Sequence, residues 1–149
     1  MTNDHLSVAS IDIAAPVEAV WEALTRPELV RRYFHGTELV TDWRVGSPVY
    51  WRGKWNGESY EDKGVVLALE PGKLLKVTHW SPMGGTEDAP ENYHVVTYEL
   101  TKVDAATRVV VTQSNNSTPE AAESMAEHGW TPILQGLKAV VEGRVTTST

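Results

Sequence analysis

Histidine is the side chain that most readily moves a proton near neutral pH. The sequence carries five, His5, His35, His79, His94 and His128, and no cysteine. Without cysteine there is no thiolate nucleophile, disulfide or zinc–thiolate centre. The histidines show neither HxH nor HExxH spacing, and a catalytic zinc needs three protein ligands held together, so no metal site is expected. No GxSxG nucleophile elbow and no phosphate-cradling GxxxxGK[ST] or GxGxxG occurs. Gly84-Gly85 lies among Glu87, Asp88 and Glu91, whose charges would repel phosphate, so it reads as a turn. No cofactor is implied. What remains is acid–base chemistry by histidine, or the orientation of a ligand by a few polar groups.

Alternation along strands picks out which histidines share a surface. If Lys76 faces water, Leu75, Val77 and His79 face inward. If Glu99 faces water, His94, Val96 and Tyr98 face inward. If Arg108 faces water, Val109, Val111 and Gln113 face inward. The three segments follow one another, so His79, His94 and Gln113 are expected as a polar cluster on an apolar wall. Trp51 joins them if Arg52 is outward. Met125, Trp130 and Leu134 lie on the apolar stripe of the last helix and supply the facing wall. The candidate ligand-lining set is therefore Trp51, His79, His94, Val96, Tyr98, Val111, Gln113, Met125, Trp130 and Leu134. The alternative is two histidines near a sheet rim, bonded to backbone or water, above a plain core. A slip of one residue in register would turn each of these side chains to the opposite face.

The elements that must hold these residues follow from periodicity and turn signals. Leu6 to Ala14 reads as a strand. After Pro16, the residues Val17, Val20, Trp21 and Leu24 make one face of an amphipathic helix. Pro27 opens a second short helix to Tyr33, with Leu29, Val30, Tyr33 and Phe34 on its buried side and Arg31 and Arg32 in water. Gly36 stops it. Phe34 or His35 could then border a cavity mouth. Strand-like segments follow at 38–41, 47–52, 60–70, 74–81, 93–101 and 108–114, joined by short turns that imply antiparallel pairing. The connection Pro82 to Glu91 is long, acidic and rich in Gly and Pro, a candidate gate. Thr118-Pro119-Glu120 starts a long final helix with an apolar stripe. Pro132 lies inside it, so a kink or break is expected near Glu127 to Thr131, and Gly143 should end it.

Bulk composition narrows the partners. The 149 residues suit a single domain over 1–149, with its core at about 6–143 and a loose tail at 144–149. A net charge of −7 argues against a sequence-independent grip on nucleic acid and against binding to anionic membranes. The first apolar run is broken by Ser7, Ser10 and Asp12, so it reads as neither signal peptide nor spanning helix, and a cytoplasmic location is expected. A small hydrophobic molecule is the expected partner.

The run Ile13 to Leu29, IAAPVEAVWEALTRPEL, followed by Tyr33-Phe34, resembles the opening motif of the START-like helix-grip (SRPBCC) superfamily. It is most similar to the branch named after the activator of the heat-shock protein 90 ATPase. Gly64-Val65-Val66 with Glu70-Pro71, Thr107 to Gln113, and Glu127 to Trp130 with Ile133, Leu134 and Leu137 extend the likeness over most of the chain. The family commonly has Trp where Tyr33 stands and usually lacks a proline at 132. The resemblance implies an α+β fold: a curved antiparallel sheet of six to seven strands around a long C-terminal helix, with two short helices after strand 1. It also implies a hydrophobic ligand cavity between sheet and helix. Relatives include lipid and polyketide binders, cyclases or hydrolases, and co-chaperones. The residues leave three roles open for this chain: ligand binder, cyclase- or hydrolase-type enzyme using His79 or His94, or protein-interaction module.

Overall fold

The computed structural model describes residues 5–34, 36–55, 57–82 and 85–147. The expectation for His35 therefore lies outside the described residues. Strand β1 (His5–Ile13) is followed by helices α1 (Val17–Thr25) and α2 (Pro27–Tyr33). Six strands come next: β2 (Glu38–Thr41), β3 (Pro48–Trp55), β4 (Glu58–Glu70), β5 (Leu74–His79), β6 (His94–Val103) and β7 (Ala106–Asn116). The chain ends in α3 (Pro119–Ser124), a π-helical turn over Met125–Trp130, and α4 (Thr131–Thr147).

Prolines place the helix boundaries. A residue before proline is pushed out of the α region by the pyrrolidine ring. Arg26 sits at φ −85° and ψ 121°, so it ends α1 and caps α2 in one step. Pro27 at the first helical position lacks an N–H where none is needed. Thr118 accepts a hydrogen bond from the Ala121 N–H at 3.0 Å and opens α3. Pro132 has the opposite effect, because it removes an interior donor. The helix does not break there. It widens into the π turn, in which the Thr131 N–H and hydroxyl both donate to the Ala126 carbonyl. Gly143 does not end the helix, since α4 keeps helical backbone to Thr147.

All seven strands pair antiparallel in the order β1-β7-β6-β5-β4-β3-β2. The two short helices carry the chain from one edge of the curved sheet to the other. Burial alternates along β7, with Thr107, Val109, Val111 and Gln113 buried and Arg108 exposed, as a sheet covered on one face requires. The cover is α4, which packs on β1, α1 and α2. Its Ile133, Leu134, Leu137, Val140 and Val141 meet Val49, Val66, Val77, Val96, Val109 and Val111 in one core. Arg31 and Arg32 face solvent, while Leu29 and Val30 are buried.

The connection after β5 is tied down among its described residues. Asp88 pairs with Lys63 and accepts from the Tyr93 hydroxyl at 2.5 Å. The Trp80 indole donates to Thr86, and the Asn92 amide donates to the Glu87 carbonyl. Asn115, at φ 61°, donates its side-chain amide to the carbonyls of Glu91 and Tyr93.

Candidate functional site

Strand register lines up the side chains on the face turned towards the helix. His79 of β5 is paired with His94 of β6, Val77 with Val96, and Leu75 with Tyr98. On the next strand Val96 is paired with Gln113 and Tyr98 with Val111. On the other side Trp51 of β3 is paired with Asp62 of β4. A hydrogen bond between His79 and Asp62 joins these pairs into a row across four strands, Trp51, Asp62, His79 and His94.

The row is in close contact. The rings of Trp51 and His79 lie edge to face with centroids 5.0 Å apart. His79 and His94 stack at 6.5 Å with 29° between their planes. His79 Nε2 donates to Asp62 Oδ2 at 2.9 Å. His94 Nδ1 donates to the Ser114 carbonyl at 2.8 Å, because a carbonyl can only accept. Each histidine thus has one nitrogen committed, and its tautomer is fixed by that partner. Asp62 Oδ1 is buried and has no hydrogen-bond partner among the described residues.

Two glycines let the strands carry these groups. A Cβ on Gly64 would lie 1.8 Å from the Thr78 carbonyl oxygen, so only glycine permits β4 and β5 to approach this closely. The ladder is irregular there: Val65 N–H donates to the Thr78 side chain, and Lys63 bridges Trp80. On β3, the Tyr60 ring lies where a Gly53 Cβ would be, and its hydroxyl bonds to buried Thr37.

The helix side supplies an aromatic cluster. Trp130, at the end of the π turn, donates its indole N–H to Gln113 Oε1 at 2.9 Å. Asn116 holds that glutamine in place by donating to its backbone carbonyl at 3.0 Å, and donates also to the His5 carbonyl. Trp130 meets Tyr98 edge on at 5.9 Å and Phe34 at 6.4 Å. The Tyr33 hydroxyl donates to the Ala23 carbonyl at 2.6 Å. Burial pushes the phenols of Tyr33 and Tyr98 well above the usual tyrosine range.

The structure brings most of the predicted residues to this surface. Val96, Val111, Leu134 and Trp130 are buried in the core beneath or beside it. Trp51, His79, His94 and Tyr98 are half-buried. Gln113 is bonded to Trp130 and does not bridge the histidines. Met125 is a correction: at the start of the π turn it is 37% exposed, with its sulfur lying over Gly129. Sequence reasoning missed Asp62. It sits in the charged run Glu61-Asp62-Lys63 and looks solvent-facing, yet alternation back from buried Val66 through Gly64 points it inward.

Two open surface depressions lie elsewhere. One, of about 740 Å³, is bordered by Gly36, Arg52, Tyr60 and Glu61. The other, of about 520 Å³, is bordered by Val17, Gly72, Leu74 and Leu100. The first is crossed by the solvent-exposed Arg52–Glu61 ion pair. Neither has the aromatic lining and convergent polar groups of a small-molecule site, and the candidate site is placed at the row instead. Among the described residues no cluster of acidic or histidine side chains could hold a metal ion. No helix there is long and apolar enough to cross a membrane.

Residues 14–142 match the family model described as Activator of Hsp90 ATPase homolog 1-like protein. The chain belongs to this family. Among solved structures it is similar to ChR145 from Cytophaga hutchinsonii, at 41% identity over 95% of this chain and 96% of that one, with a TM-score of 0.82. The Aha1 dimer from Colwellia psychrerythraea shares the fold at 23% identity, covering 92% of this chain and 96% of that one, with a TM-score of 0.69. DynU16, a protein of the dynemicin biosynthetic locus, shares it at 22% identity with a TM-score of 0.75. In that pair the alignment covers 93% of this chain and 47% of the other. No functionally curated protein matches the sequence. The helix-grip architecture expected from the resemblance is thus the fold of this family member, and the fold is a ligand-binding kind.

Proposed function

We propose that the chain binds a small, mostly apolar molecule between the inner face of the sheet and the C-terminal helix. The carrying observation is two clusters of rings on this face, the half-buried Trp51, His79 and His94 on the sheet, and Phe34, Tyr98 and Trp130 towards the helix. Aromatic side chains offer large contact area at low cost in side-chain entropy, and partial exposure leaves ring surface for a ligand to cover. The polar atoms in the row are few and mostly engaged by partners, as expected where they orient a ligand rather than dominate its affinity. A protein of a natural-product biosynthetic locus with the same fold is consistent with this reading.

Phe34 and Trp130 form the helix-side lip of the site. Phe34 caps α2 and Trp130 closes the π turn, so both stand where regular helix ends.

Tryptophan fluorescence and thermal shift against a panel of fused-ring aromatics and fatty acids test the reading. Saturable quenching with micromolar Kd is expected for at least one class, and Trp51→Ala should weaken it at least tenfold while circular dichroism stays unchanged. No binding by any class, or binding indifferent to Trp51→Ala and Phe34→Ala, sinks it.

A further inference from the structure

Among the described residues, Asp62 Oδ1 is the buried side-chain polar atom that lacks a partner. Buried acceptors are nearly always paired, so an orphan one asks for a missing donor. The rest of the carboxylate is well supplied: its other oxygen receives the His79 Nε2–H at 2.9 Å, and the side chain is only 16% exposed. Lys63, the neighbouring cation, is engaged by Asp88 on the loop. The structure therefore leaves one buried acceptor atom without a donor beside the Trp51 and His79 rings.

The chemistry of the missing donor follows from the surroundings. An ammonium would bring three donors to a place with one free acceptor, and the others would be desolvated unpaired. A second carboxylate or a phosphate would be repelled. A hydroxyl donates one proton and can sit on a flat apolar ring that covers Trp51, His79 and His94. Resting on the binding reading above, we propose that Asp62 is the polar anchor of the site, and that its ligand is a hydroxylated planar ring of phenol or naphthol type. Asp62 accepts the ligand hydroxyl through Oδ1. His79 is the positioning residue, since its bond to Oδ2 fixes the carboxylate rotamer and reserves Oδ1 for the ligand hydroxyl.

The test compares three probes of similar size: naphthalene, 2-naphthol and 2-methoxynaphthalene. The methoxy compound keeps the oxygen and removes the donor. Dissociation constants from tryptophan quenching should favour 2-naphthol over 2-methoxynaphthalene by roughly 10- to 100-fold, as for a hydrogen bond to a charged acceptor. In Asp62→Leu, folded by circular dichroism, that ratio should fall to near one. Equal affinities for the two probes in the unaltered protein overturn the proposal without needing the variant, and mean that Oδ1 is served by water. A ratio that survives Asp62→Leu overturns it as well. If naphthalene binds and the ratio is one, only the anchor is lost. If none of the three binds, this proposal falls together with naphthalene-type ligands for the site, and the fatty-acid arm above decides the binding reading.

Discussion

The Trp130–Gln113 hydrogen bond joins the helix to the sheet at the back of the site, and its worth can be measured. Both residues are nearly closed to solvent, at 8% and 6% exposure, and the indole N–H reaches Oε1 at 2.9 Å. Trp130→Phe removes the donor and part of the ring. The abandoned buried carbonyl costs about 1–3 kcal/mol. The lost ring area adds roughly 1 kcal/mol. Gln113→Leu keeps the volume and strands the indole N–H, again at about 1–3 kcal/mol. With both changes the Trp130–Gln113 pair leaves no orphan of its own, and the double variant should lose the ring area, about 1 kcal/mol, together with the long bond from Gln113 to Asn116 Oδ1 that Gln113→Leu also removes. The cycle thus predicts a coupling of about 2–6 kcal/mol, the lower part of which lies within the range for contacting residues. Urea unfolding followed by far-ultraviolet circular dichroism supplies the free energies, read only where the m-value is unchanged. In a chain of this size each 1 kcal/mol moves Tm by roughly 2–4 °C. Costs that add to within about 0.5 kcal/mol would refute the reasoning and show that the two groups find water or other partners when separated.

Two further outcomes follow from the geometry. Gly64→Ala places a methyl group 1.8 Å from the Thr78 carbonyl, which is main chain and cannot swing aside. The strands must part, and a loss of at least about 3 kcal/mol in urea unfolding is expected; a loss under about 1 kcal/mol would show that β4 and β5 separate freely. Alkaline titration addresses the buried phenols. Burial raises the folded-state values of Tyr33 and Tyr98 above the ordinary 10.0. Their contribution is therefore whole below about pH 10 and is lost as pH rises, by about 1.4 kcal/mol per pH unit for each proton the folded chain retains. Absorbance of tyrosinate should show these two ionising only with unfolding, and their early titration in the folded protein would contradict the burial.

Local rules were enough where one residue decides an element. Helix α2 runs over Pro27–Tyr33 and strand β2 over Glu38–Thr41, the bounds expected from the sequence, because proline and glycine punctuate that stretch. Inward placement of His79 and His94 was also legible, since Lys76 and Glu99 fix the outward faces of β5 and β6. Asp62 was not, because three consecutive charges hide which one points in, and the irregular ladder at Gly64 is a product of strand packing.

The π turn has a consequence for how the final helix tolerates changes in length. Buried Ala122 and Trp130 are eight positions apart in the sequence. At about 100° per residue a regular helix would leave them about 80° out of phase. One surplus residue, taken up in the π turn, absorbs about 100° and returns them to within about 20°. A chain one residue shorter here, running as plain α-helix, would present the same two faces to the sheet. The segment Met125–Trp130 is thus a phase-neutral seam, where a single codon can be lost while Trp130 stays aimed at Gln113.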